Sequence, residues 1–300
     1  RFRARCVTDT DLFKLNEENI ITLFRTHPQI GYKILQALAS EVVGATHEAE
    51  KTEAKPEPLP DGIDQVLPPD HPHFSETAPE AFESLLLHTE AVCPLCDARF
   101  AAARVRETRL ASARVNPDFR IVYHNMEPLW YYIWVCPECG FAHPYKQFNK
   151  VSRRQLEKLK KAVGGDKQIQ FRFSPRRTLN EVFLSYYLAL RIFAVINAGP
   201  EQFGNLWMRL VWLYEDVKAQ EWVEYAARNA LKHFEEALIS GRRSDAGDQK
   251  LYIIIAELHQ RLGQREDALR CLLEAVNLRA GSEGYRKLAA DRIQDLRAEK

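Results

Sequence analysis

Cys93-Pro94-Leu95-Cys96 and Cys136-Pro137-Glu138-Cys139-Gly140 stand 39 residues apart, and their reading decides how the middle of the chain folds. A Cys-x-x-Cys turn aims two thiolates at one point, and two such turns complete the four-sulfur tetrahedron that zinc prefers. The pairs therefore predict a structural zinc site at Cys93, Cys96, Cys136 and Cys139. Proline after the first cysteine and a residue tolerant of positive φ after the second let backbone N–H groups turn toward the sulfurs. The second pair has both features. The first keeps the proline but has Asp97 where the other has Gly140, a mild departure because Asp tolerates left-handed backbone. Thiol–disulfide exchange is the competing chemistry of a Cys-Pro-x-Cys motif, but it wants a helix after the first cysteine. Neither pair has one.

Four cysteines close a zinc shell and leave no open ligand position, so no catalysis is expected at the site, even with Glu138, His124 and His143 near by. The remaining cysteines, Cys6 and Cys271, are expected to be small buried hydrophobes, which suits a reducing, cytoplasmic compartment. Composition points the same way. Of 300 residues, 46% are hydrophobic and 28% charged, the net charge is +1, and no apolar run approaches a membrane span. Any charged partner must then be sought in local patches.

Outward from the cysteines, Leu85 to Leu87 lead into the first pair, and Phe100 to Val115 alternate as one or two short strands. Trp130 to Val135 predict a strand of aromatic residues delivering Cys136 into its turn. The pattern "CPLC … LWYYIWVCPECGFAHPYKQF" with the helical tail resembles a bacterial domain-of-unknown-function family (number 2225). The resemblance spans about residues 85 to 280 and implies paired zinc knuckles followed by a tetratricopeptide-like region, with no activity attached.

Residues 146–177 carry eleven Lys or Arg against Glu157 and Asp166. A zinc-ribbon nucleic-acid-binding regulator would use such a stretch for phosphate contacts. The plainer expectation is an amphipathic helix with Val151, Leu156, Leu159 and Val163 inward and Arg154, Lys158 and Lys161 in solvent. After Pro175 six helices are predicted, near 179–197, 203–215, 221–240, 249–262, 265–278 and 283–298. In the fourth and fifth, Tyr252, Ile255, Ala256, Gly263, Ala268, Leu272 and Ala275 match the tetratricopeptide pattern of large residues, small residues and a glycine turn. The concave groove of such a stack suits a protein or peptide partner.

Residues 47–83 hold ten acidic residues against two basic, with Pro56, Pro58, Pro60, Pro68, Pro69, Pro72 and Pro79, and predict an extended acidic tether. His71 and His73 are expected to be solvated there. At the start, Ala4 to Val42, "ARCVTDTDLFKLNEENIITLFRTHPQIGYKILQALASEV", reads as a short strand, a helix to His27-Pro28 and a second helix. It resembles the C-terminal part of cyclic-nucleotide-binding domains, whose barrel ends in such a strand and two helices. In that family the phosphate cassette would lie before or at Arg1, so the resemblance implies a cyclic nucleotide held through residues upstream of this chain.

The expected architecture is an α+β multidomain protein. Residues 1–46 form the end of a β-barrel sensor domain with two helices, 47–84 an acidic Pro-rich linker, 85–177 a zinc ribbon with a basic helix, and 178–300 a helical-repeat domain. The expected role is non-enzymatic: a cyclic-nucleotide-responsive signalling adaptor without a membrane segment.

Overall fold

The computed structural model describes residues 66–163, 171–240 and 243–298. The sensor-domain reading of residues 1–46 lies outside them. All the described residues belong to one unit, Pro56–Lys300.

Strands β1 (Leu86–Val92) and β2 (Arg99–Val105) form an antiparallel hairpin with Leu86 opposite Val105 and Val92 opposite Arg99. β3 (Ser112–Val115) and β4 (Ile121–Tyr123) form a second hairpin, and β5 (Ile133–Val135) and β6 (Ala142–Pro144) a third. Among the described residues each sheet has two strands and none closes into a barrel. Two-stranded sheets are marginal alone, so these need outside support. They receive it from cysteine turns and from helices.

The aromatic strand is shorter than its sequence predicts. Pro128–Tyr131 is a 3-10 turn, started by Pro128 at its first position and by the Glu127 carboxylate accepting from the Leu129 N–H at 3.0 Å. Only Ile133–Val135 remains extended, and all three residues are buried.

Helix α1 (Arg153–Val163) buries Leu159 fully and keeps Arg153, Arg154, Lys160 and Lys161 exposed, as amphipathic spacing requires. α2 (Leu179–Ile196) opens on a capping box. The Glu181 N–H donates to Thr178 Oγ1 at 3.2 Å, and the Thr178 N–H donates back to the Glu181 carboxylate at 2.8 Å. α2 is apolar nearly all round because β5, β6, α1 and α3 surround it. By length and composition it could cross a membrane, with a mean hydropathy of 1.5. Its apolar window is nevertheless 78% buried inside the protein, as befits a core helix.

The other predicted helices are α3 (Pro200–Asp216), α4 (Gln220–Ser240), α5 (Asp245–Arg261), α6 (Arg265–Asn277) and α7 (Glu283–Ala298), each packed on the one before. α3 and α4 approach closely at Gly204, where a Cβ would stand 2.7 Å from the Phe234 ring. α5 begins four residues before its predicted start, because Ser244 Oγ accepts from the Gly247 N–H at 3.3 Å and caps it. Gly263, at φ +71°, makes the expected turn into α6.

Residues 66–84 depart from the expected tether. Val66 and Ala78 are buried, the Ala78 N–H donates to the Arg177 carbonyl at 2.8 Å, and the Leu179 N–H donates to the Glu76 carbonyl at 2.7 Å. Acidic, proline-rich composition does not prevent docking when the backbone finds partners and a few side chains find a core. One hydrophobic core runs from Val66 through all three buried cysteines and α2 to Leu258. A second, around Ile253, Leu272 and Ile293, holds α5 to α7 together.

A buried polar group ties β3–β4 to the helices. Asp118, at 2% exposure, accepts from Trp212 Nε1 at 2.7 Å and from Arg261 at 2.5 Å. Arg120 bridges Glu127 at 2.8 Å and Asp216 at 2.6 Å. Burial alone would lower the Arg120 pKa, but the two carboxylates outweigh it and raise it.

Candidate metal centre

Each cysteine pair is the turn of a hairpin. At the end of β1 the Cys93 N–H donates to the Ala98 carbonyl at 2.9 Å, and at the end of β5 the Cys136 N–H donates to the Phe141 carbonyl at 2.9 Å. The Asp97 and Gly140 N–H groups each return to the carbonyl of the first cysteine at 3.0 Å. Both residues take left-handed backbone, Asp97 at φ 61° and Gly140 at φ 68°. The two knuckles are thus alike in backbone although their sequences differ, and Asp97 fills the glycine position as expected.

The fold brings all four predicted residues together. Cys93 Sγ lies 3.6 Å from Cys139 Sγ, Cys96 Sγ lies 3.6 Å from Cys136 Sγ, and all four sulfurs fall within 4.8 Å of one another. Four thiolates about 2.3 Å from a central zinc would stand about 3.8 Å apart, so the donor set fits that ion. The Leu95 N–H points at Cys93 Sγ at 3.4 Å, a typical outer contact to a ligating thiolate. Cys93, Cys136 and Cys139 are buried while Cys96 is exposed, which leaves one side of the site open to solvent.

Cys93, Cys136 and Cys139 perturb one another through their close sulfur contacts. S–H donation from Cys139 and Cys93 holds Cys136 well below the ordinary thiol range. The Cys136 contact, with burial behind it, pushes Cys93 up to about 12 and Cys139 higher still. A dication bound among the four would let all of them ionise. When bound it supplies a cross-link between two hairpins.

The neighbouring candidates stay outside the donor set. Among the described residues the cluster contains no histidine or carboxylate. Glu138 faces Arg172 at 3.4 Å. His143 is buried, stacks on Phe141 and meets Phe193 of α2, and burial lowers its pKa. Through Phe141, His143 and the Phe171 N–H bonded to the Pro137 carbonyl at 3.4 Å, the second knuckle is seated on the helical part. Cys271 is half-buried, its thiol pushed up to about 11 by burial. Cys6 lies outside the described residues.

A family model described as "Uncharacterized protein conserved in bacteria (DUF2225)" matches residues 86–299. The chain belongs to this family. The DUF2225 match opens at the first residue of β1, takes in both knuckles, and reaches the end of α7. A relative described as "Uncharacterized protein", from Borreliella burgdorferi, is 28% identical over an alignment 146 residues long that covers 43% of this chain. The alignment spans 52% of that protein's own length. No solved structure matches.

The structure separates the basic residues of the 146–177 stretch. Arg177 is buried, its guanidinium 3.6 Å from the centre of the Phe173 ring and 4.5 Å from that of Tyr131, and it donates to the Trp130 carbonyl at 2.7 Å. Arg176 donates to the Ala78 carbonyl, Arg172 pairs with Glu138, and Lys146 pairs with Glu107. Lys150, Arg154, Lys160 and Lys161 are exposed on and beside α1.

One site was not read from sequence. His71, expected in solvent, is half-buried, with its ring centroid 4.8 Å from Trp222, 5.3 Å from Phe183 and 5.8 Å from Tyr187. His71 Nε2 lies 2.9 Å from the Tyr214 hydroxyl, which lies 2.9 Å from the Tyr187 hydroxyl. Burial lowers the His71 pKa to about 4. Next to it is an open groove of about 860 Å³, walled by Val66–His71 on one side and by Tyr187, Leu190, Arg191, Ala194, Trp207 and Tyr225 on the other. The signal was the proline spacing around His71, which also suits a docked strap.

Proposed function

We propose that this DUF2225 protein is a non-enzymatic binding platform for signalling, in which zinc bound by Cys93, Cys96, Cys136 and Cys139 fixes a ribbon against a tetratricopeptide-like helical array. The groove between the strap at Val66–His71 and helices α2 to α4 takes a protein partner. That groove carries the reading. Its volume is about 860 Å³, and its walls are mainly apolar and aromatic. The cysteine cluster supports a positioning role for the metal, since a closed thiolate shell has no site for substrate. The cyclic-nucleotide resemblance of residues 1–46 supplies the input in this scheme. It rests on the sequence quoted above.

The test is site-specific photo-crosslinking in the intact chain. A photoreactive residue at Ala194, exposed in the groove, is expected to capture a discrete partner that the same group at Lys232, exposed on α4, does not. Equal capture at both positions, or none at Ala194 together with catalytic turnover by the purified protein, would overturn the reading.

A further inference from the structure

The four sulfurs differ in what can reach them. Cys93 and Cys136 are 0% exposed and Cys139 is 7% exposed, whereas Cys96 stands in solvent. A water-borne oxidant therefore meets one member of the shell directly and the other three only through it. Oxidation of cysteine follows thiolate character and access, and a metal-bound cysteine is a thiolate by definition of the bond.

Behind Cys96 lies its resolving partner. Cys96 Sγ is 3.6 Å from Cys136 Sγ, and Cys93 Sγ is 3.6 Å from Cys139 Sγ. Both contacts run from the β1–β2 turn to the β5–β6 turn, so each joins one knuckle to the other. Rotation about the Cα–Cβ bonds brings such a pair within bonding distance while the hairpins stay in place. Cys93 is also held in its own turn by the Leu95 N–H at 3.4 Å, whereas Cys136 faces the exposed sulfur.

We propose that Cys96 is an oxidation site, attacked by a hydroperoxide, and that Cys136 resolves it into a disulfide across the two knuckles. The proposal rests on the zinc reading of the four cysteines and adds a regulation of that site. The Cys96 thiolate attacks one peroxide oxygen and breaks the O–O bond, giving a sulfenic acid and hydroxide. The Cys136 thiolate then attacks the Cys96 sulfur, forming the S–S bond and expelling a second hydroxide. Two electrons pass from the two sulfurs to the peroxide, and the hydroxides take their protons from solvent. Cys93 and Cys139 alone no longer close the shell, so one zinc is released for each disulfide formed. Because the new bond joins the same two hairpins, the ribbon keeps its cross-link, and a thiol reductant restores the metal site.

The test titrates the full zinc-loaded chain with hydrogen peroxide, with and without a 1,3-dione that traps sulfenic acid. Released zinc is read with a chromogenic chelator, and the cysteines by alkylation and peptide mass mapping. The trap is expected on Cys96 at least about tenfold above Cys93, Cys136 and Cys139. Without the trap, the Cys96–Cys136 disulfide should appear with one zinc released per bond, and reductant with added zinc should reverse both. Trapping on a buried cysteine first, a disulfide within one knuckle, or four unmodified cysteines overturns the proposal. Protein that holds zinc and keeps it through oxidation overturns this proposal alone. Protein that carries no zinc before peroxide is added overturns the metal reading and this proposal with it.

Discussion

Asp97 and Gly140 hold equivalent places in the two knuckles at φ 61° and 68°, a backbone that L-residues with a branched Cβ resist. Asp97→Gly is expected to be neutral or stabilising by a few tenths of a kcal/mol, and Asp97→Val to cost about 1–2 kcal/mol, by denaturant unfolding of the zinc-loaded protein. Equal stabilities would mean that the left-handed turn is not kept. His71 makes a pH prediction. Its folded pKa of about 4 lies below the ordinary 6.5 because burial disfavours the cation, so the unfolded chain binds more protons between these values. Its contribution to stability is then complete above about pH 6.5 and is lost as pH falls toward about 4. His71→Gln should flatten the melting temperature over that window relative to wild type, and parallel profiles would exclude the role. At this scale the sequence was legible where chemistry is local. The spacing of the four cysteines and the tolerance of Asp97 could be read directly. The surroundings of His71 could not, because Tyr214, its hydrogen-bond partner, lies 143 positions away.

Between elements, α3 and α4 approach closely at Gly204. Gly204→Ala would put a methyl 2.7 Å from the Phe234 ring, and Phe234 is itself 1% exposed and has no room to retreat. The expected cost is about 1–3 kcal/mol in thermal or denaturant unfolding, whereas Gly→Ala in an open helix would stabilise. A stabilised variant would contradict this packing. All six C-terminal helices were legible from apolar spacing. The aromatic strand was misread because tryptophan and tyrosine favour strands, while Glu127-Pro128 dictates a turn that overrides their preference. The strap departs from the expected tether for a related reason. Its composition reports low hydrophobicity, but its docking rests on backbone hydrogen bonds to Arg177 and Leu179, which composition does not record.

Across the whole unit, the cysteines are part of one core with α2 and the groove helices, since Cys93, Cys136 and Cys139 share it with Phe193, Trp207 and Leu258. A division into ribbon and helical array can be drawn along the sequence, but the buried contacts cross it. Zinc at the knuckles would therefore brace the platform as well as the hairpins it joins, and acidification should release it, because protons compete for the thiolates. The measurement that tests this most directly is metal content with X-ray absorption at the zinc edge on protein purified without added metal. One zinc per chain with four sulfur neighbours at about 2.3 Å is predicted, with Cys136→Ser losing the metal and lowering the melting temperature. A metal-free protein with Cys93, Cys96, Cys136 and Cys139 in disulfides, or a shell containing nitrogen or oxygen, would contradict the account.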